Sequence, residues 1–405
     1  MKSILLATAS ILAFAGAAAA DVTFGGDAKL GFNIDNGDEP RDTYTDEAGN
    51  ELAKEGFFWE ANLGVTLSQE LNNGLTAAAS FTLNIADNDD GSDVDVDNDF
   101  LLSLTAETGG LFLGDTAFAA ESHWDSAGNM QADDFSEQDG EVVLRGDFAF
   151  SGVEASVSGI LADDDNVNPN DDLDQLSVGA EATVGRFTMS MGYQEESEVL
   201  DAGYVSDDAG GYDPFSNDDF DASEVFGISV GTTFGGADVQ LAYATNQTLN
   251  DDSLGFEVSY PFGPVTLGAY YVLENDDESD IIGDLGNEDL ENSFGVSADY
   301  ASGPLTVSAF YEFDDDGNQV DDVDSGLDNN GDDQDEDDDF GIEVGYDVGN
   351  GLELYAGFID ETGNYVGAEY DLGNGAQLIA SYADQDEEGA REYEAGTTLQ
   401  VVFQF

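Results

Sequence analysis

Apolar and polar residues alternate with a period of two along most of the chain after residue 20. Val22, Phe24, Leu30 and Phe32 share one parity, and the residues between them are polar or small; residues 57–67 repeat the pattern. Successive side chains of a β-strand point to opposite faces, so this alternation predicts strands with one apolar face. Helical spacing of three or four is not sustained after residue 20. We therefore predict an all-β protein.

Two kinds of connection alternate between the predicted strands. One kind is short and built from Gly, Asn and Pro, as in residues 72–74, 261–264 and 373–375. The other is longer and mostly acidic, as in residues 194–221 and 314–339. Nine short turns and ten longer connections give 20 strands in an up-and-down antiparallel meander. Short turns on one side and long loops on the other are typical of an outer-membrane barrel.

The amino-terminal segment predicts export. Lys2 gives a positive start, residues 4–20 are almost wholly apolar, and the run ends in Ala18, Ala19 and Ala20. This pattern is typical of a cleaved signal peptide, so we predict removal of residues 1–20 and a single mature domain over 21–405. No later run of about 18 apolar residues occurs, so the sequence predicts no helical membrane span.

The charge balance excludes several classes of protein. The chain has 7 Lys and Arg against 90 Asp and Glu, a formal charge of −83, which repels nucleic acid. Its 41% hydrophobic and 11% aromatic residues are more than a disordered acidic chain contains. Without Cys the chain has no thiol chemistry, and with His123 as the one histidine a catalytic triad has little to build on. We predict no enzyme and no catalytic residues.

The alternation also assigns a face to each charge within a strand. Only Lys29, Arg145 and Arg186 lie beside many acids on the polar face. In a soluble sandwich such a face meets water outside, whereas in a membrane barrel it lines a wet lumen. Alternation alone leaves both readings open. The acids that a barrel would place in its lumen are Asp27, Glu60, Asp147, Glu154, Glu181, Glu257, Asp299, Glu343, Glu353 and Glu369.

Aromatic residues at the strand ends favour the barrel over the sandwich. A tyrosine ends a predicted strand just before a short turn at Tyr260, Tyr300, Tyr346 and Tyr370, and the chain itself ends on Phe405. Aromatic residues at such positions form the girdle of a barrel at a membrane interface. Together with the export signal, they predict an antiparallel transmembrane β-barrel in the outer membrane of a Gram-negative cell.

Three segments carry a resemblance to a known family. They are residues 21–26 (DVTFGG), 63–77 (LGVTLSQELNNGLTA) and 102–115 (LSLTAETGGLFLGD). With them the chain resembles the Gram-negative general porins, particularly those of alphaproteobacteria. The resemblance implies a homotrimer in outer-membrane lipid and a water-filled channel for passive diffusion of ions and small hydrophilic solutes. Members usually have 16 strands, so the expected number stays between 16 and 20.

The resemblance also implies a constriction loop over residues 116–138 that folds into the lumen. It contains His123 and Trp124, and in the family the acids of this loop face basic residues across the channel. Lys29 and Arg145 are the opposing bases that this chain offers, and its shortage of arginine departs from the family pattern. The acids implied for the loop are Glu121, Asp125, Asp133, Asp134 and Glu137.

The acidic lumen predicts a cation-selective channel. A substrate-specific channel would share the same fold, and the alternative from another class is a secreted or surface acidic β protein that binds calcium and has a structural role. EF-hand spacing fails around Gly91 and Gly317, so no defined metal site is predicted. We expect no cofactor beyond a loose association of Ca²⁺ or Mg²⁺ with the acidic loops.

Overall fold

The computed structural model describes part of the chain. The described residues are 21–34, 43–45, 51–53, 56–87, 95–137, 142–162, 172–197, 220–275, 292–315, 338–360, 363–384, 393 and 395–405. The predicted signal peptide, residue 138 of the predicted loop, Gly91, Gly317 and most of the long acidic connections lie outside them.

Within the described residues the chain forms 22 strands and one 3₁₀ turn, Glu121–His123. No helix in these ranges is long and apolar enough to cross a membrane. The strands are β1 (Asp21–Ile34), β2 (Thr43–Thr45), β3 (Glu51–Ala53), β4 (Gly56–Glu70), β5 (Thr76–Asp87), β6 (Asp95–Ala106), β7 (Gly109–Gly114), β8 (Val143–Phe150), β9 (Val153–Ala162), β10 (Asp172–Val184), β11 (Phe187–Gln194), β12 (Val225–Phe234), β13 (Ala237–Asn246), β14 (Asp251–Phe262), β15 (Val265–Asn275), β16 (Asn292–Ser302), β17 (Leu305–Asp315), β18 (Asp338–Gly349), β19 (Leu352–Ile359), β20 (Gly363–Gly373), β21 (Ala376–Ala383) and β22 (Gly396–Gln404).

Twenty of the described strands form one closed antiparallel sheet, and β2 and β3 form a separate hairpin. The predicted all-β class, the barrel and the meander order are confirmed. The 20 strands of this sheet agree with the number given by nine short turns and ten longer connections in the sequence, and not with the 16 usual in the family. Each strand pairs with its neighbours in chain order, and β1 closes the sheet by pairing with both β4 and β22.

The short turns lie where the sequence predicts them. At Ser151-Gly152, Asn350-Gly351 and Asn374-Gly375, both residues have positive φ, between 55° and 84°. Two-residue hairpin loops of this kind match the right-handed twist of the strands that they connect. The Asn-Gly pairs of the sequence therefore fix the position of these hairpins.

The apolar face of the strands is exposed. Phe57, Phe150 and Phe262 are each at least 70% exposed, and large apolar side chains of the same parity are exposed in most of the strands. We call these exposed apolar side chains the outer belt, and the opposite face of each strand the inner face. A soluble sandwich would bury its apolar face, whereas a membrane barrel presents it to lipid.

The chain divides into two compact units. Unit 1 comprises Met1–Thr116, Tyr300–Ser308 and Gly341–Phe405, and unit 2 comprises Ala117–Asp299 and Ala309–Phe340. Unit 1 contains β1 and the two strands that pair with it, β4 and β22. Unit 2 contains the segment that the family resemblance identifies as the constriction loop.

Candidate functional site

In unit 2, the connection between β7 and β8 folds back against the inner face. We call residues 117–137 the docked loop. Phe118, Ala119, Ala120 and Ala127 are fully buried, and Phe135 is 5% exposed. The docked loop follows the end of β7 and buries its own apolar residues, so it occupies space on the inner side of the sheet.

Buried serines on the inner face hold the backbone of the docked loop. Three main-chain N–H groups of the loop donate to serine hydroxyls of β9, β10 and β14, and each of these three serines is at most 2% exposed. A buried N–H without such an acceptor is costly, so these bonds fix where the loop lies. The pairs, each 2.8 Å long, are Ala119–Ser158, Ala120–Ser177 and Ala132–Ser253.

Glycines on the inner face let the loop approach the sheet closely. A methyl group at Gly179 would lie 1.9 Å from the carbonyl oxygen of Ala119, and one at Gly255 would lie 2.0 Å from that of Ala127. These distances are far inside van der Waals contact. The loop can dock only because these strand positions have no side chain.

Carboxylates of three strands accept hydrogen bonds from the tip of the loop. The donors are the N–H groups of Gly128 and Gln131 and the side-chain amide of Asn129. Of the acceptors, the sequence identified only Glu257 as a residue of the inner face, and it gave no sign that any of them anchors the loop. The pairs are Gly128–Glu257 at 3.4 Å, Asn129–Glu312 at 2.9 Å and Gln131–Glu274 at 3.0 Å.

Trp124 joins the two halves of the docked loop. Its ring lies 5.7 Å from that of Phe135 and packs on the buried cluster that contains Ala120 and Val225. Its indole Nε1 donates a 2.7 Å hydrogen bond to the Asp133 carboxylate. Trp124 and Phe135, two aromatic residues in an acidic loop, are the signal in the sequence for this core.

The five predicted loop acids differ in their surroundings. Burial raises the pKa of Asp133 to about 6, although the Trp124 hydrogen bond opposes this shift. Burial, with the nearby carboxylates of Asp221 and Glu137, raises the pKa of Asp134 to about 6.

The other loop acids lie along the same segment. Burial, with the carboxylate of Glu137, raises the pKa of Glu121. Asp125 is exposed, and Gln240 donates hydrogen bonds to its carbonyl oxygen at 3.0 Å and to that of Ser126 at 2.6 Å. The role of these acids in a constriction stays a prediction.

The two predicted opposing bases each contact a nearby carboxylate. In unit 1, the Lys29 ammonium lies 2.6 Å from the Glu60 carboxylate. In unit 2, Arg145 Nε lies 2.9 Å from Asp147, and its Nη1 donates to the Ala117 carbonyl at 2.8 Å. Arg145 therefore holds the start of the docked loop. That these two bases face the loop acids across the channel stays a prediction.

His123 lies at the base of the docked loop. Its Nε2 is 2.8 Å from the hydroxyl of Ser156, which lies on the inner face of β9. Burial lowers the pKa of His123, against the opposing effect of the Asp147 and Glu181 carboxylates. The imidazole therefore serves here as a neutral hydrogen-bonding partner near neutral pH.

The ten acids predicted to line the lumen lie on the inner face, opposite in parity to the outer belt. Some form cross-strand pairs, such as Glu154 with Glu181 and Glu353 with Glu369. Of the predicted girdle residues, Tyr260, Tyr346, Tyr370 and Phe405 are between 41% and 73% exposed, and Tyr300 is partly exposed. Within the described residues, no group of three or more His, Asp or Glu side chains could hold a metal ion.

The closed antiparallel sheet, its exposed apolar belt and the loop docked on its charged inner face define an outer-membrane β-barrel of the channel-forming class. A family model described as Gram-negative porin matches residues 7–364. The chain belongs to the Gram-negative porin family, whose members are outer-membrane channels for small solutes and not enzymes. No curated protein sequence matches the chain.

Solved porin structures from Rhodopseudomonas blastica are similar to the chain. A double mutant of that porin has 14% sequence identity and a TM-score of 0.40, and a variant with five substitutions has 13% and 0.39. Each comparison covers 95% of this chain and 100% of the other.

Proposed function

We propose that the protein is a passive channel that lets ions and small hydrophilic solutes diffuse through the outer membrane and prefers cations over anions. The charge of the inner face carries this proposal. Its acids far outnumber its bases, and the two predicted opposing bases, Lys29 and Arg145, already contact carboxylates. A negative wall around a narrow aqueous path concentrates cations and repels anions.

The reversal potential in planar bilayers under a KCl gradient tests the cation preference. We expect a potential of the sign that cation permeation gives, and a smaller one at high salt, because the Debye length falls from about 10 Å at 0.1 M to about 3 Å at 1 M. Anion preference, or no conductance, would contradict the proposal.

A double variant of one cross-strand pair tests the role of the wall. E154Q with E181Q removes two directly opposed inner-face carboxylates and keeps the side-chain volumes. We expect a smaller potassium-to-chloride permeability ratio. The control is E107Q in the exposed turn between β6 and β7, which removes a charge away from the inner face and should change the ratio less.

From the family resemblance we also propose a homotrimer, and from the pattern of the amino-terminal residues cleavage of the signal peptide after Ala20. The first residue of the protein isolated from outer membranes should then be Asp21, and it should run as a heat-modifiable oligomer in a detergent gel. A sequence that starts at Met1 would contradict the cleavage.

We propose no cofactor and only a loose association of Ca²⁺ or Mg²⁺ with the acidic connections. Removal of divalent cations by a chelator should therefore leave the single-channel conductance at high KCl unchanged.

A substrate-specific channel, which would share this fold, would differ from the proposed passive channel in showing a solute flux that saturates at low solute concentration.

A further inference from the structure

In unit 1, a second connection folds against the inner face. The chain returns from β21 to β22 through Tyr393 and Ala395, which are only 4% and 3% exposed. A tyrosine in a connection between two strands would be exposed if the connection extended away from the sheet. Its burial places this part of the connection on the inner side of β20 and β21.

Glu369 of β20 holds Tyr393 in this position. The Tyr393 hydroxyl donates a 3.0 Å hydrogen bond to one carboxylate oxygen of Glu369, and Gln377 Nε2 donates to the other at 2.9 Å. Hydrogen bonds to an ionised acceptor are stronger than those between neutral groups. The carboxylate is thereby fixed between β21 and the connection.

The ring of Tyr393 fits a recess that the sequence provides at Gly367. A methyl group on Gly367 would lie 2.3 Å from the Tyr393 hydroxyl oxygen, so only glycine leaves room for the ring. The ring also packs edge-on against Tyr365, at 5.7 Å between centroids, in a buried cluster with Ala383. Edge-to-face aromatic pairs at this distance are favourable.

Asn33 of β1 holds the other end of the connection. Its Nδ2 donates to the Ala395 carbonyl oxygen and to the Thr398 hydroxyl, both at 2.8 Å, and the residue is 1% exposed. The connection is thus attached to the inner face at two places, through Glu369 and through Asn33.

We propose that Glu369 is a positioning residue for the channel: it holds Tyr393 on the inner face, where the side chain of Tyr393 narrows the passage from the wall of unit 1. This inference rests on the proposed channel function. The Glu369–Tyr393 contact then helps to set the largest hydrophilic solute that can pass, because the lining and width of a pore decide what it admits.

The swelling of liposomes in uncharged sugars tests this inference, because uncharged solutes do not respond to the charge of the wall. The measured quantity is the ratio of the disaccharide to the monosaccharide swelling rate. E369A removes the acceptor, and Y393F removes the donor while it keeps the ring. We expect both variants to raise the ratio relative to the natural protein.

Two variants separate the contact from other effects. E369Q removes the charge but keeps an oxygen acceptor for the tyrosine, so its ratio should lie between those of E369A and the natural protein. Y382F removes a hydroxyl from an exposed tyrosine of β21, which bonds to Asp384 at 2.9 Å, and should leave the ratio unchanged.

G367A displaces the ring by filling its recess and should act like E369A, provided that heat-modifiable mobility shows a folded barrel. Equal effects of E369A and E369Q, or a natural ratio in Y393F, would overturn the inference. Either result leaves the channel function intact as long as the natural protein conducts. A natural protein that takes up no sugar and carries no current would instead remove the proposed function itself.

Discussion

The indole Nε1 of Trp124 donates a 2.7 Å hydrogen bond to the carboxylate of Asp133, and this bond ties the first half of the docked loop to the second. The chain has two tryptophans, and the other, Trp59, is 46% exposed in the outer belt. A W59F variant therefore leaves Trp124 as the one indole that reports on the loop.

Docking of this loop should weaken as the pH rises. Burial raises the pKa of Asp133 from 3.8 to about 6. At a pH between these two values the Asp133 carboxyl is protonated while the loop is docked and ionised once the loop is released. Stability then falls as the pH rises through this window and stays lower above it. In W59F we expect the Trp124 emission to shift to the red with a midpoint near pH 6. In the W59F background D133N should reduce the shift, and D133N with D134N should reduce it further, because the pKa of Asp134 in the same loop is also raised to about 6. A W59F midpoint near pH 4 would contradict the prediction.

Removal of the serine acceptors should loosen the loop without a change in charge. In a variant with S158A, S177A and S253A, three buried N–H groups lose their partners, at a cost of about 1–3 kcal/mol each. Hydrogen exchange of the loop amides should become faster, and the single-channel current noisier.

The matched control for the serines is S190A with S229A. These buried inner-face serines bond to each other at 2.7 Å, so their loss leaves the amides of the docked loop with their acceptors. Unchanged exchange in the triple variant, or an equal change in the control, would refute the assigned role of the serines.

Added methyl groups beneath the loop should displace it. G179A and G255A would each place a methyl group about 2 Å from a loop carbonyl oxygen, and backbone cannot yield as a flexible side chain does. We expect a larger single-channel conductance from both variants. G146A, whose methyl group would meet nothing closer than 4.0 Å, is the control. A conductance in G179A equal to that in G146A would count against the docked position.

Arg145 should hold the start of the docked loop through the geometry of its guanidinium as well as through its charge. R145K keeps the charge, but an ammonium cannot reproduce the fork by which Arg145 reaches Asp147 and the Ala117 carbonyl. We expect noisier currents with an unchanged reversal potential. K29R should alter neither quantity, and a changed reversal potential without added noise in R145K would point to a purely electrostatic role.

The strands and turns could be predicted from the sequence because each depends on local signals. The alternation along β1 and the Asn374-Gly375 turn define their own elements wherever the rest of the chain lies. The placement of acids such as Glu154 on the inner face follows from the same parity.

What holds the loop could not be predicted, because it depends on pairings between distant parts of the chain. Ser158 looks like any small polar residue of the inner face, and Gly255 like any glycine in a strand, until the loop lies on them. Parity assigns Glu257 to the inner face, but its contact with the N–H of Gly128 needs the fold. Tyr393 lies in an acidic stretch, and nothing in its neighbourhood predicts that it is buried.

The pairing of β1 with β22 has a consequence for the way the protein is made. Ala28 pairs with Phe403, and the N–H of Phe405 bonds to the Gly26 carbonyl at 2.8 Å. β1 must therefore wait for β22 before both of its edges are occupied. Until β22 has been made and exported, the nascent polypeptide exposes an unpaired edge of β1, and an unpaired strand edge is open to aggregation.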